Sequence, residues 1–285
     1  MISVSALSSY SYCQRKLYLQ YVLKFFEPMK EATIKGSIRH KIYEAINEKE
    51  ESIVISITKK LDFEQIRRLY ELNYTEITRE AIRKNKNSLA KFNVKPEDLF
   101  KSVWPLIKDE SETRAFNILG FIQLNKIYGK ELWEKLTPKI ISEQRISSDK
   151  LGLRGIVDQI EVYEKGMVPI ELKTGSCPKE GVWPNHKIQL AAYSLLLEEH
   201  HNTQVKEGFI TYLDTKQRRH ISINPFLREE VLELIKKVKS LLSGKIIPDF
   251  EKNQNKCNKC GIKEHCFNQK TIEKRMRELQ LLGNK

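Results

Sequence analysis

Two carboxylates and a lysine dominate the chemistry available to this chain. Asp158 closes the run Gly155-Ile156-Val157, and Glu171-Leu172-Lys173 ends the next strand-like segment. Side chains alternate faces along a strand, so Glu171 and Lys173 project together while Leu172 points into a core. A preceding strand running antiparallel would bring Asp158 to the same edge. Two acids and an ammonium converging there could hold a divalent metal on a phosphodiester and activate water beside it. Gln189 and Tyr193, spaced i, i+4, share one face of the helix that follows, and His40 lies on an early helix after Gly36. Taken singly, Asp158 and Glu171 also fit the solvent face of an antiparallel sheet. His40 alone fits a surface or satisfied core position. Glu143, on the first strand, fits either a supporting acid or an exposed strand residue.

The second constellation is sulfur. There are five cysteines: Cys13, Cys177, Cys257, Cys260 and Cys266. An odd count in a chain read as cytosolic argues against a disulfide framework. Cys257-x2-Cys260-x5-Cys266 offers three thiolates from one loop, and a tetrahedral metal or a four-iron cluster needs a fourth ligand. Cys13 on the first helix is the candidate. Spacing alone leaves zinc and iron–sulfur equally open, with His265 as another zinc ligand, and Cys177 reads as a free thiol.

The elements that must position these groups follow from periodicity. Residues 3–24 read as one amphipathic helix ended by Glu27-Pro28, and about 31–48 as a second. Residues 50–135 keep a helical period, with Lys95-Pro96-Glu97 and Trp104-Pro105 as breaks between helices. From Lys139 the period changes to two. Strands are expected at 140–147, 151–163 and 167–173, the first pair joined by a hairpin at Ser148-Asp149-Lys150. A helix at 185–200, strands at 205–213 and 219–223, and a helix at 227–242 complete the pattern. Such a meander, helix and two further strands make an α/β (α+β) sandwich. The expected division is 1–48 for the N-terminal helices, 49–138 for a helical insertion, 139–247 for the core and 248–285 for the cysteine segment with a basic tail.

Gly155-Ile-Val-Asp158, Glu171-Leu-Lys173, Gln189-Leu-Ala-Ala-Tyr193 and the upstream His40, in this order, resemble the PD-(D/E)XK nuclease superfamily in its RecB-like branch. With the cysteines, the chain is most similar to the CRISPR-associated iron–sulfur exonuclease (Cas-four) group, a relative of the Dna-two helicase–nucleases. The resemblance covers 1–48 and 139–267 and leaves the insertion unexplained. It implies a restriction-endonuclease-like central mixed sheet flanked by helices, with Asp158, Glu171, His40 and the Leu172 carbonyl as ligands of Mg²⁺ or Mn²⁺. It implies that Lys173 serves the attacking water and the developing charge, that Gln189 orients the lysine or the substrate, and that Tyr193 contacts phosphate or water. It also favours a [4Fe–4S] cluster on Cys13, Cys257, Cys260 and Cys266, clamping the two ends of the sequence together. The implied activity is a metal-dependent deoxyribonuclease acting on single-stranded DNA or overhangs, an exonuclease with endonuclease cleavage also open. Its implied task is processing spacer precursors in CRISPR adaptation beside the integrase proteins. The competing readings are a repair or replication nuclease outside CRISPR and a catalytically inactive nucleic-acid-binding scaffold.

Composition agrees with a nucleic-acid partner. The net charge is +13, from 50 basic and 37 acidic residues. Such an excess favours a polyanion, nucleic acid before anionic membrane, although a solubilising lysine surface carries the same charge. Arg15-Lys16 and the basic residues from Lys252 to Lys285 are expected phosphate contacts. No apolar run approaches the roughly 20 residues of a membrane span. The first residues lack a secretory pattern, so a cytoplasmic location is expected. Oligomeric state is not encoded in these patterns.

Overall fold

The computed structural model describes residues 1–281, which leaves Lys285 of the expected basic tail outside the described residues. The chain opens with a short strand β1 (Ile2–Ser3), then α1 (Val4–Tyr12) and α2 (Gln14–Tyr21). The single helix expected over 3–24 is therefore two. The break falls on Cys13, whose backbone is extended (φ −164°, ψ 111°) and whose sulfur accepts the Lys16 N–H at the start of α2. A residue that must turn its thiol out of a helix and cap the next one cannot continue the first.

α3 (Glu31–Ser56) is longer than expected and runs on past residue 48. It leads to α4 (Phe63–Lys84), α5 (Lys86–Ala90), α6 (Pro96–Asn125) and α7 (Gly129–Lys135). Pro96 occupies the first turn of α6, where its missing N–H costs nothing. Pro105 does not end a helix as expected. α6 continues through it, with Leu99, Val103 and Ile107 all buried on the stripe that packs with α4. Burying three large aliphatics at about 1.5–3 kcal/mol each outweighs the roughly 3 kcal/mol penalty of an internal proline. These helices share their own apolar core, from Ile34 to Leu132.

The sheet comprises β1, β2 (Lys139–Ser148), β3 (Leu153–Tyr163), β4 (Gly166–Lys173), β5 (Glu207–Tyr212) and β6 (Gln217–Ser222) in the order β1-β3-β4-β5-β6, with β2 on the other edge of β3. It is mixed: β1–β3 and β4–β5 are parallel, whereas β2–β3, β3–β4 and β5–β6 are antiparallel. α8 (Pro184–His201), α9 (Pro225–Ser243) and α1 cover one face over the main core. Tyr43 of α3 covers the other with Ile170 and Leu172. The last helices are α10 (Gln254–Asn258), α11 (Lys263–Phe267) and α12 (Gln269–Glu278), joined to α2 through Tyr18, Leu19, Leu23, Ile262, Ile272 and Met276.

One register detail builds the site. β1 pairs with β3 only at Leu153 and Arg154, and β4 pairs with it only from Gln159 onward. Residues 155–158 thus face an opening in the sheet. Among the described residues no helix is long and apolar enough to cross a membrane.

Candidate active site

The opening gathers the acids. Beyond the last β3–β4 pair, the Leu172 N–H is taken not by a β3 carbonyl but by Asp158 Oδ2, at 2.8 Å. This bond fixes the carboxylate at the fork where the strands part. Leu172 itself is buried among Ile170 and Tyr43, so Glu171 and Lys173 project to the opposite side.

Glu171 is 2% exposed. Its Oε1 accepts from Lys173 Nζ and from Gln189 Nε2, both at 2.6 Å. Lys173 Nζ also donates to Gln189 Oε1 at 2.9 Å, and Gln189 Nε2 to Tyr193 Oη at 3.2 Å. Four of the residues expected in the site therefore form one hydrogen-bonded chain. Glu171 Oε2, by contrast, is buried with no partner. An unmatched buried carboxylate oxygen costs about 1–3 kcal/mol or more. Burial, then the charge of Asp158, pushes the Glu171 carboxyl up to about 8, against the pull of Lys173 and His40. Tyr193 is held well above its ordinary value by burial, then by the charge of Glu171.

Across the opening, His40 Nδ1 lies 3.5 Å from Asp158 Oδ1 and 3.7 Å from Glu143 Oε1. Single ligand atoms of His40, Glu143 and Asp158 fall within 4.8 Å of one another. Burial alone would lower the histidine pKa. Hydrogen bonds to Asp158 and Glu143, with the charges of Asp158 and Glu171, override it and carry the ring to about 10. Glu143 joins this group by a local backbone feature. It stands opposite Asp158 in the β2–β3 register, flanked by the pairs Ser142–Gln159 and Gln144–Val157, and has φ 51°. A left-handed glutamate within a strand is strained by the order of 1 kcal/mol, the kind of cost found at functional sites. The hairpin expected at Ser148-Asp149-Lys150 would set residue 143 across from 155; the observed turn is wider, with Ser148 paired to Leu153, and that shift brings Glu143 opposite Asp158. The exposed-strand alternative for Glu143 is set aside, since its carboxylate faces His40.

The acids do not lie on a solvent face, and the donor set suits a hard divalent cation. The two part-buried carboxylates and the unpaired buried oxygen are the ligand types such ions take, and the imidazole adds a nitrogen donor of the kind transition ions bind. The Leu172 carbonyl belongs to the same fork.

The second constellation also assembles. Cys13, Cys257, Cys260 and Cys266 line one cavity, together with Tyr12, Arg15, Phe250 and Phe267. Arg15 is buried, donates through Nε to Cys266 Sγ at 3.3 Å and through Nη1 to the Pro248 carbonyl at 2.7 Å, and stacks on Phe250. This overturns its expected role as a phosphate contact, because its donors are spent inside the protein. Lys16 is likewise paired, with Glu27 at 2.6 Å. Burial raises the Cys13 and Cys266 thiols. His265 stacks on Phe25 and does not line the cavity, and Cys177 lies elsewhere, its thiol donating to Gln217.

A mixed sheet that forks over an Asp, Glu-x-Lys and Gln constellation defines a nuclease class rather than a transport or structural one. The chain belongs to the PD-(D/E)XK nuclease superfamily, whose family model matches residues 1–267. Among curated proteins it is similar to a CRISPR-associated exonuclease Cas4/endonuclease Cas1 fusion of Leptospira interrogans serovar Lai, at 31% identity over 159 residues, or 52% of this chain and 29% of that protein. It is also similar to a CRISPR-associated exonuclease Cas4 of Francisella tularensis subsp. novicida, at 30% identity over 121 residues, 42% of this chain and 59% of the relative. A DNA replication ATP-dependent helicase/nuclease of Arabidopsis thaliana is 24% identical over 148 residues, covering 46% of this chain and 11% of that protein. The matches thus span less than two thirds of these relatives' length.

Proposed function

We propose that the protein is a divalent-metal-dependent deoxyribonuclease that degrades single-stranded DNA or overhangs, as an exonuclease. The observation that carries this reading is Glu171 Oε2, buried and unpartnered beside the His40–Glu143–Asp158 cluster. A divalent cation held by His40, Glu143 and Asp158 would supply the positive charge that the buried Glu171 oxygen lacks. Bound there, Mg²⁺ or Mn²⁺ would supply Lewis acidity to the scissile phosphate and acidify the attacking water.

The chain's own residues supply the rest. Lys173 Nζ is held by Glu171 and Gln189, which leaves one of its three donors for the water or for charge developing on phosphorus. Gln189 sets that ammonium through its carbonyl oxygen while its amide grips Glu171 and Tyr193. The tyrosine hydroxyl stays protonated and can donate to phosphate.

The four cysteines, brought to one cavity from residues 13 and 257–266, would hold a [4Fe–4S] cluster. The N–H donors from Lys16 and Arg15 to sulfur are of the type that tunes such centres.

Relatives bearing the name of a CRISPR-associated exonuclease Cas4/endonuclease Cas1 fusion support a role in CRISPR adaptation, trimming DNA before its capture. The test is degradation of labelled single-stranded DNA in Mn²⁺, Mg²⁺ or EDTA by wild type and Asp158→Ala. Degradation by wild type alone, and only with metal, is expected. Equal degradation by both would remove the catalytic assignment, and inactivity of both would favour a scaffold. A zinc-containing, iron-free preparation made without air would overturn the cluster.

A further inference from the structure

Beside the site, a groove of about 540 Å³ runs between the start of α1 and the β2–β3 hairpin. Its floor is Gly155 and the Tyr193 ring, and its walls carry Ser3, Ser5, Arg145 and Arg154. The floor depends on glycine: a Cβ at Gly155 would come within 2.5 Å of Tyr193 Cε1. The volume lies within the roughly 300–1,000 Å³ typical of ligand sites. Gly155 is three residues before Asp158 on β3, about 10 Å along the strand.

The charge on this groove is uncompensated. Arg39, Arg114, Arg218 and Arg228 are each tied to a carboxylate. Arg145 and Arg154 form no ion pair and no side-chain hydrogen bond among the described residues, and both are exposed. No acidic side chain lines the groove. Ser3 and Ser5 add hydroxyls, and α1 begins there with its positive end, since Ser3 is the N-cap. Two free guanidinium groups, hydroxyls and a helix start surround a slot whose floor, Tyr193, is hydrogen-bonded through Gln189 to Glu171, and they suit a chain of phosphates, not a single small anion. The exposed Ile156 (40%) offers an apolar step for a base or sugar.

We propose that this groove is the track on which the sugar–phosphate backbone of the substrate strand is held as it enters or leaves the metal site, with Arg145 and Arg154 as its phosphate contacts. The assignment rests on the nuclease reading and adds the route of the strand, which the sequence had placed instead on Arg15 and the basic tail.

The measurement is fluorescence anisotropy of a labelled single-stranded oligonucleotide in EDTA, so that no cleavage intervenes, over a range of salt. Each phosphate contact on a single strand contributes about 0.7 to the slope of log K against log salt. Arg145→Gln with Arg154→Gln should therefore flatten the slope by about 1.4 and weaken binding by about tenfold or more at moderate salt. Both side chains are exposed, so an unchanged melting temperature is expected to accompany the loss. Lys59→Gln with Lys60→Gln, removing the same charge from an exposed loop of the helical region, serves as the control and should leave slope and affinity as in wild type. An unaltered slope in the arginine variant, or an equal loss in the control, would overturn the track. Failure of the nuclease reading would show separately, as undiminished cleavage by Asp158→Ala with this binding result intact.

Discussion

Asp158 Oδ2 accepts the Leu172 N–H at 2.8 Å at the point where β3 and β4 stop pairing. One side chain thus does the work of a missing ladder bond and presents its second oxygen to His40 at 3.5 Å. Structure and chemistry meet in one carboxylate, and two substitutions separate them. Asp158→Asn keeps an acceptor for Leu172 and removes the charge. Asp158→Ala also strands a buried N–H, at about 1–3 kcal/mol. Both should lower DNA cleavage by about a hundredfold or more, since a metal contributes several kcal/mol to such transition states. Only the alanine variant should melt clearly lower, which calorimetry would decide.

Glu171 carries a pH prediction. Burial and Asp158 lift its carboxyl to about 8 in the metal-free protein, above the unfolded value near 4.3. A raised acid stabilises the fold fully below its unfolded pKa, and that contribution is lost as pH climbs toward the folded pKa. In EDTA, Glu171→Gln should therefore gain on wild type in melting temperature between about pH 4.5 and 8, while losing cleavage. A constant difference across that window would refute the assignment of the buried charge.

Metal uptake should release protons. His40 is raised to about 10 by its two acidic partners, so at neutral pH it must shed a proton to become a ligand. Apparent Mn²⁺ affinity should rise by about tenfold or more per pH unit between pH 6 and 7.5, read by titration calorimetry in buffers of different ionisation enthalpy. His40→Gln should flatten that dependence, and a pH-independent affinity would exclude the histidine from the shell.

The helical region is tied to the site by a buried polar chain. Arg114 of α6 pairs with Glu50 at 3.2 Å and donates to Asn47 Oδ1 at 2.7 Å. Asn47 in turn donates to Ser142 Oγ at 2.6 Å, one residue from Glu143. Tyr70 and Tyr74 also donate to Glu50. Arg114→Met leaves Glu50 buried and unpaired, and should cost about 3–5 kcal/mol in denaturant unfolding. Asn47→Ala should cost less and chiefly raise the Mn²⁺ concentration needed for half-maximal cleavage.

Much of this site was legible before any coordinates. Strand alternation and an antiparallel neighbour were enough to bring Asp158, Glu171 and Lys173 together, and i, i+4 spacing set Gln189 with Tyr193, because these rules depend only on backbone geometry. Glu143 was harder, since its inclusion turns on one left-handed residue that no local pattern announces. Cys13 was seen as a candidate ligand but not as a helix breaker, although capping by sulfur is what divides α1 from α2. Pro105 misled because tertiary packing outweighed a local rule. Arg15 misled because charge says nothing about burial: its partners lie 251 and 233 positions away.

That separation has a consequence for how the molecule is made. Residues 2 and 3 find their strand partners only at 153 and 154, and Arg15 finds Cys266 only 251 positions later. At synthesis rates of about 5–20 residues per second, roughly 13–50 s pass before that last contact can form. Throughout that interval Leu19 lacks its cover from Ile262, Ile272 and Met276, while Leu7 and Leu17 wait a shorter time, until the core residues between Ile146 and Val238 have been made. The ribosome thus delivers this apolar arm before its shelter, and a chaperone that shields residues 4–23 should raise the yield of folded protein.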